Sequence, residues 1–264
     1  MLGYSVFLPS YSVGENCYKE IPYVTRKFGT RAVVIGGKTA MSKAKPELEA
    51  AIKDSDVEIL DYIWYGGDSS YENVEMLKNN PLVTGADMLF GVGGGRACDT
   101  VKTLADMLDK PFFTFPTLAS NCAACTAITV MYNPDGSFKE YYYMHGPSYH
   151  TFINTKIIAD SPEKLLWAGI GDALSKECEV LYAGRDKFMY HTPLMGQCIA
   201  KICTTPLIEY GAKALEACRS NKPDFALEQV ALDIIISTGI VSNFATHENQ
   251  PDPADNYYYN SSLA

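Results

Sequence analysis

The chain has 264 residues, 47% of them hydrophobic and 20% charged, which is enough for two packed domains and excludes a disordered or low-complexity protein. Its net charge of −9, with no basic cluster, argues against a nucleic-acid backbone or an anionic membrane as main partner and favours a small-molecule ligand. No apolar run stands out as membrane-spanning and the N-terminus "MLGYSVFLPSYSVG" lacks the basic flank of a signal peptide, so a cytoplasmic protein is expected.

Short β-rich runs alternate with amphipathic ones as far as about residue 120. "RAVVIGG" (31–37) reads as a strand ending in a turn, "AMSKAKPELEAAIKDS" (40–55) as helix, "VEILDYIWY" (57–65) as strand and "YENVEMLKNN" (71–80) as helix. A buried strand, "ADMLFGVGGG", then feeds a glycine turn, followed by "RACDTVKTLADMLDK" as helix and "PFFTFP" as strand. This alternation predicts an α/β fold, a doubly wound parallel sheet wrapped by helices. "TAITVMY" and "KEYYYM" flank the turn "NPDGS" and read as an inserted hairpin. "TFINTKIIAD" reads as one more strand. From Ser161 to about Asn243 nearly everything is helical, with Ser161, Pro162 and Glu163 in N-cap order. The expected organisation is a nucleotide-binding α/β domain over 1–160 and an all-helical domain over 161–264.

The eight cysteines are scattered, which fits reduced thiols rather than a disulfide scaffold. Cys122 and Cys125 admit a redox or zinc reading by their spacing, but no second cysteine pair lies near, which favours packing. In "GVGGGRACDT" a strand hands over to a helix through Gly93, Gly94 and Gly95. Free amides and the positive end of a helix dipole then meet at one spot, where a diphosphate fits if no Cβ intervenes and where some glycines need positive φ. The alternative is a glycine turn with no ligand. Arg96 occupies the last glycine's place of the dinucleotide fingerprint, so spacing alone points to phosphate or nucleotide. "PTLAS" follows a strand, so its hydroxyls lie at the carboxyl edge of the sheet or simply cap their own turn. Asp172, in "AGIGDALSKE", is a surface charge, a cap or an inward carboxylate. Lys102 shares a helix face with Asp99, most simply as an exposed ion pair.

Three blocks in order, "GVGGGRACDTVK", "FPTLASNCAACTAITVMY" and "IIADSPEKLLWAGIGDALSKECE", resemble the glycerol dehydrogenase branch of the iron-containing alcohol dehydrogenases. The resemblance implies a metal-dependent, NAD(P)-linked alcohol or polyol dehydrogenase, with NAD or NADP in the α/β domain, zinc or iron in the helical one and an alcohol or carbonyl substrate between. It also implies a homo-oligomer. Carried over by position, Gly94, Gly95 and Asp99 resemble the diphosphate and ribose contacts, with Gly93 and Lys102 beside them. Thr117 and Ser120 resemble the pair beside the cofactor, Thr126, Ile128 and Tyr132 the nicotinamide contacts, and Asp172 the first metal ligand. Gly37, followed by Lys38, stands where NAD-preferring members carry an acid, which opens the site to a 2′-phosphate. Cys122 stands where glycerol dehydrogenases place a substrate-binding aspartate; a thiol accepts poorly, which weighs against glycerol itself. The family's two histidine ligands fall beyond the part that matches. Of His145, His150, His191 and His247, the first three are expected in surface or capping roles, and His247 lies nearest the missing ligand. A cofactor-binding chain without catalysis and, less readily, a cyclase resembling dehydroquinate synthase are the competing readings.

Overall fold

The computed structural model describes residues 6–186 and 191–245. Its centre is a six-stranded, all-parallel sheet in the order β1 (Tyr11–Val13), β8 (His150–Ile153), β5 (Phe112–Pro116), β4 (Met88–Gly93), β2 (Arg31–Gly36) and β3 (Glu58–Trp64). Both faces are covered, so the inner strands read as unbroken apolar runs. Ala32 and Val34 face one core with Met41, Ala44 and Leu48 of α2 (Lys38–Ile52). Val33 and Ile35 face the other, with Val74 and Leu77 of α3 (Tyr71–Lys78) and Val101 and Leu104 of α5 (Gly95–Met107). The period-two alternation thus sorts one strand's side chains between two layers, as a doubly wound sheet requires. Two short helices, α1 (Ile21–Thr25) and α4 (Pro81–Gly85), fill connections.

The hairpin forms as expected: β6 (Ile128–Tyr132) and β7 (Phe138–Tyr143) pair antiparallel as a separate two-stranded sheet. The edge strand β1 carries no sequence signal of its own, being three residues long, and is recruited by parallel pairing with β8. "TFINTKIIAD" is not one strand. Asn154 ends it by accepting hydrogen bonds from the Lys156 and Ile157 amides, which starts the short helix α6 (Thr155–Ala159).

Beyond α6 the described chain is helical: α7 (Glu163–Gly184), α8 (His191–Ala200), α9 (Thr205–Arg219), α10 (Phe225–Leu232) and α11 (Thr238–Ala245), the last two joined by a π-turn at Asp233–Ser237. Ser161 does not cap α7, because the helix starts without a side-chain cap and the Ser161 hydroxyl is buried without a partner. The continuous helical stretch Phe225–Phe244 is, by length and composition, apolar enough to cross a membrane, against the sequence expectation. Two thirds of it is buried, since it is the central helix of the helical core. That core also takes in Ala119, Ala124, Cys125 and Ile153 from the sheet side, so the two parts share one apolar cluster.

Candidate active-site cleft

The carboxyl ends of β2, β4 and β5 open into a cleft of about 800 Å³ whose opposite wall comes from α7 and α11. β2 runs into α2 on one face of the sheet and β4 into α5 on the other. The crevice between such diverging connections is where open α/β sheets bind ligands.

Gly93 ends β4 at φ +151°, and a Cβ there would lie 2.8 Å from the Ala97 Cβ, so only glycine makes this turn. Positive φ is confined to Gly93 within the cluster; Gly94, at φ −88°, serves as N-cap of α5 and adds no side-chain cap, which leaves the first amides of the helix without a capping side chain. The Thr117 amide donates to the Gly93 carbonyl at 3.2 Å and ties the end of β5 to the turn. Gly37, Gly93, Gly94, Gly95, Asp99, Thr117, Ser120, Cys122, Thr126, Ile128, Tyr132 and Asp172 all line this one cleft.

Lys102 is the exception. It is fully buried behind the wall, not an exposed ion-pair member and not a cleft residue. Its ammonium sits 2.9 Å from Asp99 Oδ1 and donates to the carbonyls of Ala123 (2.6 Å), Ile128 (2.7 Å) and Thr126 (3.2 Å), and to Thr126 Oγ1 (3.0 Å). The Asp99 carboxylate also accepts the Val130 amide at 3.2 Å. Burial pushes the Asp99 pKa up against the opposing pull of Lys102. Lys102 therefore shapes the loop that carries Cys122, Thr126 and Ile128, and the Thr126 hydroxyl is engaged with it.

Several cleft residues escaped the sequence reading. Arg96, noted there only as a departure from the fingerprint, pairs with Asp68 at 3.0 Å and lies 4.7 Å over the Tyr132 ring. On the helical wall Lys176 stands one turn from Asp172 and 3.5 Å from Glu179; the i, i+4 spacing was the available signal. Asp172 is half-buried, and its pKa is raised by burial first, with Lys176 opposing and Glu179 adding. This is the inward carboxylate of the three alternatives.

The Cys122 thiol is raised in pKa by burial, so it faces the cleft as a neutral thiol rather than a nucleophile. Cys125 is fully buried, and its Sγ donates to the Ile235 carbonyl at 2.7 Å. It packs; among the described residues no group of three or more His, Cys, Asp or Glu could hold a metal ion. His150 is not a surface or capping residue. It is buried at the far end of the sheet, bridging Ser10 Oγ (2.7 Å) and Ser12 Oγ (2.8 Å), and burial lowers its pKa to about 4. His145 is exposed, His191 starts α8, and His247 lies outside the described residues.

The family model for iron-containing alcohol dehydrogenases matches residues 9–150, the segment that carries the glycine turn and the sheet. The chain belongs to that family. A glycerol dehydrogenase of Escherichia coli O6:H1 is 30% identical over 226 residues, covering 83% of this chain and 61% of that protein. A glycerol dehydrogenase of Thermotoga maritima is 33% identical over 171 residues, covering 63% of this chain and 46% of its own length. The crystal structure of glycerol dehydrogenase from Schizosaccharomyces pombe superposes with a TM-score of 0.79 at 23% identity, covering 92% of this chain and 63% of that one, which is a likeness of fold. This member of the iron-containing alcohol dehydrogenase family thus spans about three fifths of the length of the first of these relatives.

Proposed function

We propose that the chain binds a nicotinamide dinucleotide in this cleft and belongs to an alcohol or polyol dehydrogenase that moves hydride between an alcohol or carbonyl and the nicotinamide. The observation that carries the reading is the turn at Gly93–Gly95, which opens an uncapped helix end into the same cleft as Thr117, Ser120, Thr126, Ile128 and Tyr132. On this reading the amides of the turn hold the diphosphate, and Asp99 stands beside the ribose. The loop from Cys122 to Ile128 faces the ring. The division into a cofactor domain over 1–160 and a helical domain over 161–264 belongs to the same proposal.

NADP is as acceptable as NAD. A Cβ at Gly37 would meet nothing closer than 3.8 Å, so the site has room for the acid that it lacks, and the Lys38 ammonium is held over the Trp64 ring nearby. The neutral Cys122 thiol favours an alcohol or carbonyl less polar than glycerol. A divalent zinc or iron ion needs two or three protein donors besides Asp172. The described residues do not gather them, so the site they form does not fit a metal centre by itself. Asp172 is proposed as one donor where others are supplied. Homo-oligomerisation is proposed too, since Trp167 on α7 is 68% exposed and Ile208 on α9 is 75% exposed.

Titration of the purified chain with NADH and NADPH, followed by nicotinamide fluorescence, tests the reading. Saturable binding of either supports it, and no binding at millimolar concentration ends it. The incomplete metal set favours a second reading, a chain that binds cofactor without turning over. Alcohol oxidation by this chain with added zinc or iron would exclude that one.

A further inference from the structure

The loop from Cys122 to Ile128 has little regular structure of its own, only a single 3-10 turn at Ala123–Cys125, yet its carbonyls are held from two sides. From the sheet side, Lys102 takes the carbonyls of Ala123, Thr126 and Ile128. Thr114, Ser148 and Thr151 aim their hydroxyls at the Ala124 carbonyl, at 2.7, 3.2 and 3.3 Å. From the helical side, the Ile235 carbonyl accepts the Cys125 thiol, and a residue of α11 reaches further into the loop. Asn243 on α11 accepts the Ala127 amide through Oδ1 at 2.8 Å and donates from Nδ2 to the Cys125 carbonyl at 2.9 Å. These sequence separations, 116 and 118 residues, put its two bonds among the longest-range side-chain bonds described. Helix α11 can come this close because Gly239, one turn earlier, has no side chain: a Cβ there would fall 2.1 Å from the Cys125 Sγ.

We infer that Asn243 is a positioning residue that fixes the cleft-facing loop 122–128 to the helical wall and so sets where the nicotinamide ring rests. The inference depends on the cofactor reading above and adds to it a residue that does not line the cleft. Its chemistry suits the task, because an amide offers one acceptor and one donor in a fixed plane and matches an N–H and a C=O two residues apart. The bond to Cys125 is buried and the bond to Ala127 partly so, and losing the side chain leaves a buried carbonyl and a part-buried amide without this partner. The diphosphate turn at Gly93–Gly95 takes no bond from Asn243 among those described, and the two ends of the cofactor are therefore separable in an experiment.

The test uses Asn243→Ala and Asn243→Asp in the full chain, with two readouts. The first is hydrogen exchange at the Ala127 amide, with Val34 in β2 as reference. The second is affinity for whichever of NADH and NADPH the wild type binds more tightly, against ADP-ribose, which has the diphosphate but no nicotinamide. In Asn243→Ala, Ala127 exchange should rise by about tenfold or more with Val34 unchanged, and dinucleotide affinity should fall by about tenfold while ADP-ribose affinity holds. Asn243→Asp keeps the acceptor and loses the donor, so Ala127 should stay protected while dinucleotide affinity still falls. Unchanged Ala127 exchange in Asn243→Ala, or an equal loss of both ligands, overturns the inference. Failure of the wild type to bind either dinucleotide would overturn the cofactor reading instead, and the exchange readout would still decide whether Asn243 holds the loop.

Discussion

The two walls of the cleft treat buried charge in opposite ways. On the sheet wall, Asp99 is buried with its Oδ1 2.9 Å from a buried lysine, an ion pair without a hydrogen bond, its other oxygen takes the Val130 amide, and the ammonium gives its protons to the loop. Behind the helical wall, Asp233 in the π-turn is 3% exposed with Oδ2 unpartnered, and Glu179 on α7 has one oxygen without a hydrogen bond, 3.5 Å from Lys176. The sheet wall thus uses its charges as internal scaffolding, whereas the helical wall carries acids that its own residues only partly satisfy. A satisfied network rigidifies, and an unsatisfied acid destabilises its surroundings or remains protonated. The difference teaches that the sheet side of the cleft is built to be stiff and the helical side is not.

The sharpest way to break this comparison is Lys102→Met. The substitution keeps the bulk but leaves Asp99 buried without its counter-charge and takes the ammonium's hydrogen bonds from three loop carbonyls, two of which keep the Thr126 hydroxyl. A loss of about 3–5 kcal/mol in urea unfolding is expected. Adding Asp99→Asn should recover part of it. A loss under about 1 kcal/mol, the size of a surface pair, would mean that the sheet wall does not depend on this ion pair.

Asp233 gives the next effect, with the opposite sign. Burial, partly offset by a hydrogen bond from Ser237, raises its pKa to about 7, against about 4 for an unfolded aspartate. Between those values the folded state holds a proton that the unfolded state has released, so this residue lowers stability as pH rises from about 4 to about 7 and adds no further change above. Asp233→Asn removes that dependence. The variant should be more stable than wild type at pH 8, by up to about 2–4 kcal/mol, and nearly equal to it at pH 4. Equal stability at both pH values would show that the helical wall does satisfy its acid.

Most of the sheet wall was legible because its signals are local. Runs such as "RAVVIGG" and "ADMLFGVGGG" encode strand and turn within a few residues, and the glycines mark the junction where β4 turns into α5. What stayed hidden depends on distant partners. Lys102 reads as an exposed helix lysine until the loop 21 to 26 residues away closes over it. Nothing near Asn243 announces that its amide serves Cys125 and Ala127, and nothing in "SVFLPSYSV" announces a strand until β8 lies alongside. His150 looked like a surface residue because Ser10 and Ser12, its partners, are about half the chain away. The same holds for "TFINTKIIAD", where one Asn side chain turned an apolar run from strand to helix.

Gly93→Ala measures how far the stiffness of the sheet wall comes from the turn itself. Alanine at φ +151° is strained, and its Cβ would press on Ala97 at the start of α5. A stability loss of about 1–3 kcal/mol is expected. NADH or NADPH affinity should fall by at least about tenfold, because the turn must shift its amides to relieve the contact. If stability falls while affinity does not, the turn is structural and the diphosphate binds elsewhere.

The smallest expected effect lies at the opposite end of the sheet and serves as a reference for the others. Asp87 accepts the Arg31 guanidinium at 3.0 Å and the Arg31 and Thr30 amides at 2.9 and 3.1 Å, and these bonds hold its pKa down at about 2. The depressed value means that its stabilisation is present above about pH 4 and is lost as pH falls through about 2, the reverse of Asp233. Both partners are partly solvated, with side-chain exposures of 51% for Arg31 and 28% for Asp87, so screening leaves a contribution of no more than about 1 kcal/mol. Asp87→Asn should therefore cost about 1 kcal/mol or less at pH 7, fade in high salt, and leave dinucleotide affinity unchanged. A larger cost would mean that charge at the solvated edge matters as much as charge inside the wall, and the contrast between a network that must be complete and one that need not be would lose its basis.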